Sequence, residues 1–447
     1  METSRLPHRG TQPQTPASGA KSKRRGNLFL WLYVSVTGSL LLRWSVLDFE
    51  SGDYRLYLSK WYDFFVEHGC WQGFGELTEQ VANYPPLYMY LVSLSTLLPL
   101  PKLYAIKLIT IAADYVAAWY FWRLARREFS IEVPAWGMVT AFVFLPTVVM
   151  NGALWGQCDV MYSAGFLASL FYVLERRPLA ALVAFGFSCA LKPQAIFWCP
   201  FLAGLLVCGQ LPWKWIWVPL PVYVGCGIPE MLAGRPVLHT LAHWVRVENP
   251  PGLTLGATNW YQWVIGKHSE VFWLTGIALT LCATALFVLW MHAGLPRGLR
   301  DSQCLISFSL LSVLFPPFLL PGMHERYFFA ADVLSVIYAF YMPRGLLVAI
   351  LVQFASAFTY LPYLFQQEPV PRPLLALVML VAIALVVVNH FRLFSVKRSQ
   401  THLDIAAKEH SARKDKSATD ESFFVFFEFS HGQHSDRHFL RNSMVRI

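Results

Sequence analysis

The sequence predicts an all-α, polytopic membrane protein with about twelve transmembrane helices and further external juxtamembrane helices. Three observations predict it. Only 14% of the 447 residues are charged, while 55% are hydrophobic and 16% aromatic, against roughly a quarter charged in an ordinary soluble domain. Apolar runs of about 20 residues, the length a helix needs to cross bilayer hydrocarbon, recur from Leu28 to Phe391. The formal net charge of +9 gathers in the two tails and in short basic clusters between the runs. That distribution reports orientation in a membrane and gives no footprint for nucleic acid. A soluble enzyme is excluded.

Residues 1–26 hold six basic residues against one acidic and read as a disordered, cytoplasmic basic tail. Lys21-Ser-Lys-Arg-Arg25 then precedes an apolar run over 28–47 that is too long for a signal peptide core and lacks a small-residue cleavage site. It reads as an uncleaved first span with its basic end inside. Residues 48–83 become the first external loop. The run 84–100 decides the parity of everything after it: as a full span it would put Arg123-Leu-Ala-Arg-Arg127 outside, so it reads as an external juxtamembrane or re-entrant helix. Further spans are expected at 103–123, 134–151, 159–174, 178–191, 194–208, 213–231, 271–291, 303–320, 328–342, 345–364 and 373–390. All basic loops are then cytoplasmic. The halves of 178–208 are short and meet at Leu191-Lys-Pro-Gln194, which reads as a broken hairpin, the alternative being one helix that would invert the later loops. The membrane domain is 27–391, and the Ser/Lys-rich segment 392–447 reads as a second disordered cytoplasmic tail. Eight cysteines without metal-ligand spacing read as small hydrophobes.

With this parity, polar residues that a bundle does not need for packing collect on the external side: Asp53, Tyr54, Asn151, Trp155, Gln157, Asp159, Lys192, Asn259, Trp260 and His324-Glu325-Arg326. Ionisable groups at membrane depth are costly and usually mark a functional cavity. Each has a plainer reading. Asp53, Asp63 and Asp48 are candidates for solvated loop carboxylates, Trp155 and Trp260 for interfacial belt aromatics, and Lys192 for a snorkelling cation. Lys107 and Asp114, two turns apart on one helix, read as packing or network residues. Taken together the set suits one chemistry. A carboxylate can accept a hydroxyl proton, Lys, Arg and His can meet a departing phosphate, and aromatic faces suit a sugar ring. Transfer of a sugar from a lipid phosphate needs all three. No phosphate loop, zinc-protease motif or nucleotide-binding glycine motif is present.

The ordered set Ser51-Gly-Asp-Tyr54 with Trp61-Tyr62, Asn83-Tyr-Pro-Pro-Leu87, Asn151-Gly-Ala-Leu-Trp-Gly-Gln-Cys-Asp159, Lys192-Pro-Gln194, Asn259-Trp260 and Met323-His-Glu-Arg-Tyr327 resembles the GT-C superfamily of integral-membrane glycosyltransferases. In detail it is similar to the bacterial members related to the second GPI mannosyltransferase, over about residues 28–390. The resemblance implies a polyprenyl-phosphate sugar donor, mannose being the first choice, a glycan or glycolipid acceptor, transfer on the non-cytoplasmic face and inversion at the anomeric carbon. It implies Asp53 and Asp159 as catalytic carboxylates and Lys192, His324 and Arg326 on the donor-phosphate side. Tyr54, Trp155, Gln157, Asn259, Trp260 and Glu325 are the candidates for sugar or acceptor. No cofactor is expected; the family's loop often has two adjacent acidic residues, and with Tyr54 following Asp53 the role of a divalent metal stays open. Expected partners are membrane lipids and the two substrates, with no nucleic acid. The expected location is a bacterial plasma membrane, the endoplasmic reticulum being the alternative. The rival classes are a multi-pass transporter or lipid-glycan flippase, for which no internal repeat is found, and a polymerase or ligase of lipid-linked sugars, whose large external loop should come late in the chain.

Overall fold

The computed structural model describes residues 18–78, 80–82, 84–129, 132–241, 252–264, 270–295, 301–342 and 344–393. The expectations for residues 1–17 and 394–447 and for Asn83 lie outside them, as do the first part of the segment from His243 to Gln262, expected to be external, and the basic group Arg297 to Arg300, expected to be cytoplasmic.

The chain is helical almost throughout, in the order α1 Ser18–Ser45, α2 Ser59–His68, α3 Gly73–Glu76, α4 Pro86–Ser95, α5 Lys102–Glu128, α6 Glu132–Val143, α7 Pro146–Val149, α8 Asp159–Leu174, α9 Pro178–Leu191, α10 Cys199–Val207, α11 Pro219–Leu232, α12 Val237–Leu241, α13 Glu270–Gly294, α14 Ser302–Leu319, α15 Phe329–Tyr341, α16 Gly345–Phe365 and α17 Arg372–Leu393. Proline opens α4, α7, α9, α10 and α11, where its missing N–H costs nothing and its fixed φ suits the first turn. The chain forms one compact unit through Asn389.

Four helices, α13, α14, α16 and α17, are long and apolar enough to cross a membrane, and a fifth candidate is the pair Pro134–Val143 and Pro146–Trp155, bent by 46°. The best hydrophobic window of α13 is only 17% buried. Apolar surface of that extent needs a non-aqueous solvent, and the chain is an integral membrane protein. The count of about twelve spans goes beyond this, since α8, α9, α15 and the pair Pro193–Val207 are apolar but short, and α5 carries buried charges. One feature escapes an all-α reading: β1 Thr254–Leu255 and β2 Met323–His324 pair in parallel, with Thr254 opposite Met323 and Leu255 opposite His324. Two-residue strands leave no periodic trace in a sequence. A second difference is that α1 begins at Ser18, so helix runs back through the basic stretch assigned to the first tail.

Helix α8 lies at the centre, packed by α5, α9, α14 and α15, and nearly all its residues are buried. Its approach to α9 is close because Gly165 has no side chain: a Cβ there would stand 1.9 Å from Ser188 Oγ. Small residues at such crossings let backbones meet inside a membrane, where hydrophobicity alone cannot sort helix from helix. Buried polar groups pin the rest. Asp114 forms an ion pair with Arg43 at 2.8 Å, and Lys107 Nζ donates to the carbonyls of Leu47 at 2.8 Å and Phe49 at 2.6 Å. Both are network residues, and they fasten the end of α1 and the chain leading to Asp53 onto α5.

The interruption at Leu191-Lys-Pro-Gln194 is present. α9 stops at Leu191, Lys192 is extended (φ −159°, ψ 139°), and a 3₁₀ turn over Pro193–Trp198 leads into α10. Proline's ring and missing N–H cannot continue α9, and the break turns Lys192 inward.

Candidate active site

Two carboxylates stand beside irregular helical turns. Asp53 directly precedes a π-helical turn, Tyr54–Leu58. A second π-helical turn, Met150–Trp155, ends in Gly156, whose φ of +83° is a conformation that glycine takes without a Cβ clash. That reversal folds Gln157 back, its N–H bonding the Asn151 carbonyl at 2.9 Å, and Asp159 follows as the first residue of α8. Ser51 Oγ donates to the Trp155 carbonyl at 2.7 Å and accepts from the Tyr54 N–H, so the Asp53 loop is docked on the Trp155 turn. Gly52 permits it: a Cβ there would lie 3.0 Å from the Tyr363 hydroxyl.

Asp53 receives three donors. Trp155 Nε1 (3.0 Å) and Gln157 Nε2 both donate to Oδ2, and the Tyr363 hydroxyl donates to Oδ1 at 2.5 Å. A carboxylate offers about four acceptor positions, two on each oxygen, so one on Oδ1 is unused. The residue is 9% exposed.

Asp159 is closed off. It is 0% exposed, with Oδ1 held by Lys192 Nζ at 2.5 Å and Oδ2 by Asn151 Nδ2 at 2.8 Å. Direct contact with a substrate, as the resemblance implied, does not fit that burial. Lys192 is equally buried and its charge is spent on Asp159.

Arg326 links the two carboxylates. Its Nη1 lies 4.0 Å from Asp53 Oδ2 and its Nε 3.9 Å from Asp159 Oδ2, while Nη1 also donates to Glu325 Oε1 at 2.9 Å. The guanidinium lies over the Trp155 ring, 5.4 Å from its centre, and its buried Nε has no hydrogen-bond partner among the described residues. The side chain is 14% exposed. Burial raises the Glu325 carboxyl, but the His324 ring and the Arg326 charge outweigh it and the net direction is down. Burial works against the Arg326 charge and is outweighed by Glu325, Asp53 and Asp159, which hold its pKa well above the ordinary arginine value. It is a fixed cation. His324 is partly exposed, on β2, 3.8 Å from Glu325 Oε2 through Nδ1.

The structure thus brings together Asp53, Trp155, Gln157, Asp159, Lys192, Glu325 and Arg326. It changes several roles. Trp155 and Gln157 spend their donors on Asp53, and the Trp155 ring is buried against Tyr363, 4.8 Å between ring centres at 22°, so it offers no open face to a sugar. Tyr54 is buried. Asn259 and Trp260 donate to the carbonyls of Leu320 (3.4 Å) and Leu319 (3.3 Å), which docks their loop on the end of α14. Asp63 pairs with Lys102 at 2.8 Å and Asp48 accepts from Tyr104, as solvated loop carboxylates do.

Sequence reasoning missed Tyr363, whose only signal was a tyrosine beside Pro362 near the end of an apolar run. It also missed two buried polar groups, Asp332 with Tyr360 (3.2 Å) and Glu230 with Arg235 (2.8 Å), single ionisable residues inside or next to apolar runs. Among the described residues no three His, Cys, Asp or Glu side chains gather as metal ligands.

No protein-family model matches the chain, and no curated protein matches it. Among solved structures, the crystal structure of ArnT from Cupriavidus metallidurans bound to undecaprenyl phosphate is 14% identical, over 84% of this chain and 79% of that one, with a TM-score of 0.49. A likeness of that size carries no functional weight.

Proposed function

We propose that the chain is an inverting, GT-C-type glycosyltransferase that moves a hexose, mannose being the first choice, from a polyprenyl phosphate to a hydroxyl of a glycan or glycolipid acceptor. The shorter apolar helices together with α1, α5 and α11 complete about twelve crossings, with both chain ends cytoplasmic and the Asp53 cluster on the other face. One observation carries the reading: a carboxylate held by three donors, with one acceptor position free, beside a fixed arginine.

The step these groups suit is a single displacement. Asp53 Oδ1 accepts the proton of the acceptor hydroxyl as its oxygen bonds to the anomeric carbon. The bond from that carbon to the phosphate oxygen breaks on the opposite face, and its electron pair leaves with the phosphate. Arg326, whose side chain is 14% exposed, meets the growing phosphate charge through charge-assisted hydrogen bonds. Asp159 and Lys192 are positioning residues that hold Arg326 from behind.

Incubating purified protein with a panel of radiolabelled polyprenyl-phosphate sugars, with membrane glycolipids as acceptors, tests the reading. Transfer from one donor, lost in Asp53→Asn, is the expected result. Movement of lipid-linked sugar across proteoliposomes without any bond change would favour the flippase class and overturn it.

A further inference from the structure

Beside the Asp53 cluster lies a second space to which no role has been given. A cavity of about 190 Å³ opens between Gly256, Glu325, Thr359, Tyr363, Gln366 and Arg372. It is smaller than the roughly 300–1,000 Å³ sites that take drug-sized ligands and suits a ligand of one ring. Two of its walls belong to the candidate active site: Tyr363, whose hydroxyl donates to Asp53 Oδ1, and Glu325, whose Oε1 accepts from Arg326. Asp53 itself does not line the cavity; Tyr363 and Glu325 connect it to the Asp53 and Arg326 pair.

The charges on its walls are unequal in their commitments. Glu325 is already paired with Arg326. Arg372 is not matched in the same way: its guanidinium makes no hydrogen bond among the described residues, and its one ion pair runs from Nε to the exposed Glu368 at 3.7 Å. Gly256 keeps the space between the two open, since a Cβ there would sit 3.5 Å from Glu325 Oε2 and 4.0 Å from Arg372 Nη1. A guanidinium whose Nη groups make no hydrogen bond among the described residues, beside a small cavity, is a fork for a planar or tetrahedral anion.

We infer that this cavity is the acceptor subsite, and that Arg372 selects an acceptor whose sugar ring bears an anionic group, a carboxylate or a phosphate. The inference rests on Asp53 as the base of the proposed reaction, because Tyr363 joins cavity and base. Glu325 Oε2 and Thr359 Oγ1 are the acceptors for ring hydroxyls, and Arg372 receives the acid at the side where Glu368 stands. Glu368 competes with the ligand for Arg372.

Saturation-transfer NMR on full-length protein in nanodiscs, titrated with methyl glucoside, glucuronate and glucose 6-phosphate, measures the preference directly. Wild type should bind at least one of the acids about tenfold more tightly than the neutral sugar, the size of one charge-assisted hydrogen bond. Arg372→Gln should remove the preference and leave the neutral sugar's affinity in place, whereas Glu368→Ala, at an exposed position, should tighten the acid about twofold by removing its competitor. Glucuronate ahead of glucose 6-phosphate assigns a carboxylate, and the reverse order a phosphate. Equal binding of acid and neutral sugar by wild type, or a preference that survives Arg372→Gln in protein with an unchanged thermal midpoint, overturns the inference. Undecaprenyl phosphate is the further arm: if Arg372→Gln weakens the lipid as much as the sugar acid, Arg372 serves the donor phosphate and the inference falls. A wild-type protein that consumes no polyprenyl-phosphate sugar yet distinguishes acids through Arg372 would lose the proposed reaction and keep the anion-selective cavity.

Discussion

Asp53 differs from the other carboxylates of its loop in what its oxygens already do, and that decides how an amide would behave in its place. Asparagine can turn its oxygen to Trp155 and Gln157 and its NH₂ toward the Tyr363 hydroxyl, which can accept as well as donate, so the local structure is kept. What is lost is basicity. Asp53→Asn should lower turnover by about 10² to 10⁴ while donor binding persists, and parallel turnover and lipid-binding assays measure the two separately. Asp63→Asn and Asp48→Asn, whose partners are Lys102 and Tyr104, should change turnover less than twofold to threefold (~0.5 kcal/mol). Arg326 is the second test at this scale. Arg326→Lys keeps the charge but cannot reach Asp53, Asp159 and Glu325 from one planar fork. A loss of roughly 10- to 100-fold in kcat/KM for the donor is expected, carried more by donor than by acceptor kinetics. Equal effects on both substrates would remove Arg326 from the phosphate side. The motif residues were legible because ionisable groups beside apolar runs need a reason. Their division of labour was not, since a sequence cannot say that Trp155 and Gln157 point their N–H groups at Asp53 or that Lys192 spends its charge on Asp159.

Among the elements, α8 and α9 meet more closely than any side chain but hydrogen allows at Gly165. Gly165→Ala would drive a methyl group into Ser188 Oγ, with the Ala184 carbonyl of the same helix 3.1 Å away. Overpacking of this kind costs about 1–3 kcal/mol, to be read as a lowered unfolding midpoint in detergent. Ser188→Ala in the same chain should return part of the loss, since the clash is chiefly with the hydroxyl, although the bond from Ser188 to the Tyr162 carbonyl goes with it. Non-additivity of the pair is the readout. Element positions followed well from apolar runs: 159–174 is α8, and 271–291, 303–320 and 345–364 lie within or nearly within α13, α14 and α16. Proline marked the break at Lys192. The π-helical turns at Tyr54 and Met150 left no signal, because one extra residue in a helical turn changes no composition.

For the whole molecule, the open quantity is orientation. The positions for testing it must be exposed. Arg55 and Gln366 are exposed near the Asp53 cluster, and Lys214 is exposed in a loop expected on the cytoplasmic side. In a cysteine-free variant, single cysteines at Arg55 and Gln366 should react with an impermeant thiol reagent in intact cells, and one at Lys214 only in inverted vesicles. Labelling of Gln366 and Arg55 from opposite sides would break the single-site arrangement, since Tyr363 and Asp53 touch. Several of the basic clusters sit on short connections, where the positive-inside rule is strongest.

The short parallel ladder has a dynamic consequence. Thr254 and Leu255 pair with Met323 and His324, Gly256 bridges His324, and the Gly322 N–H bonds the Leu253 carbonyl at 2.8 Å. The loop carrying Asn259 and Trp260 is also tied to the end of α14. Segments so joined open as one cooperative unit, so their amide protons should trade for deuterium with a shared rate instead of each fraying alone. Ligand caught by Arg326 should slow exchange at 253–256 as well as at 322–326, although 253–256 holds no charged side chain. Hydrogen exchange with and without undecaprenyl phosphate would show it, and protection confined to 322–326 would mean that the two segments move independently.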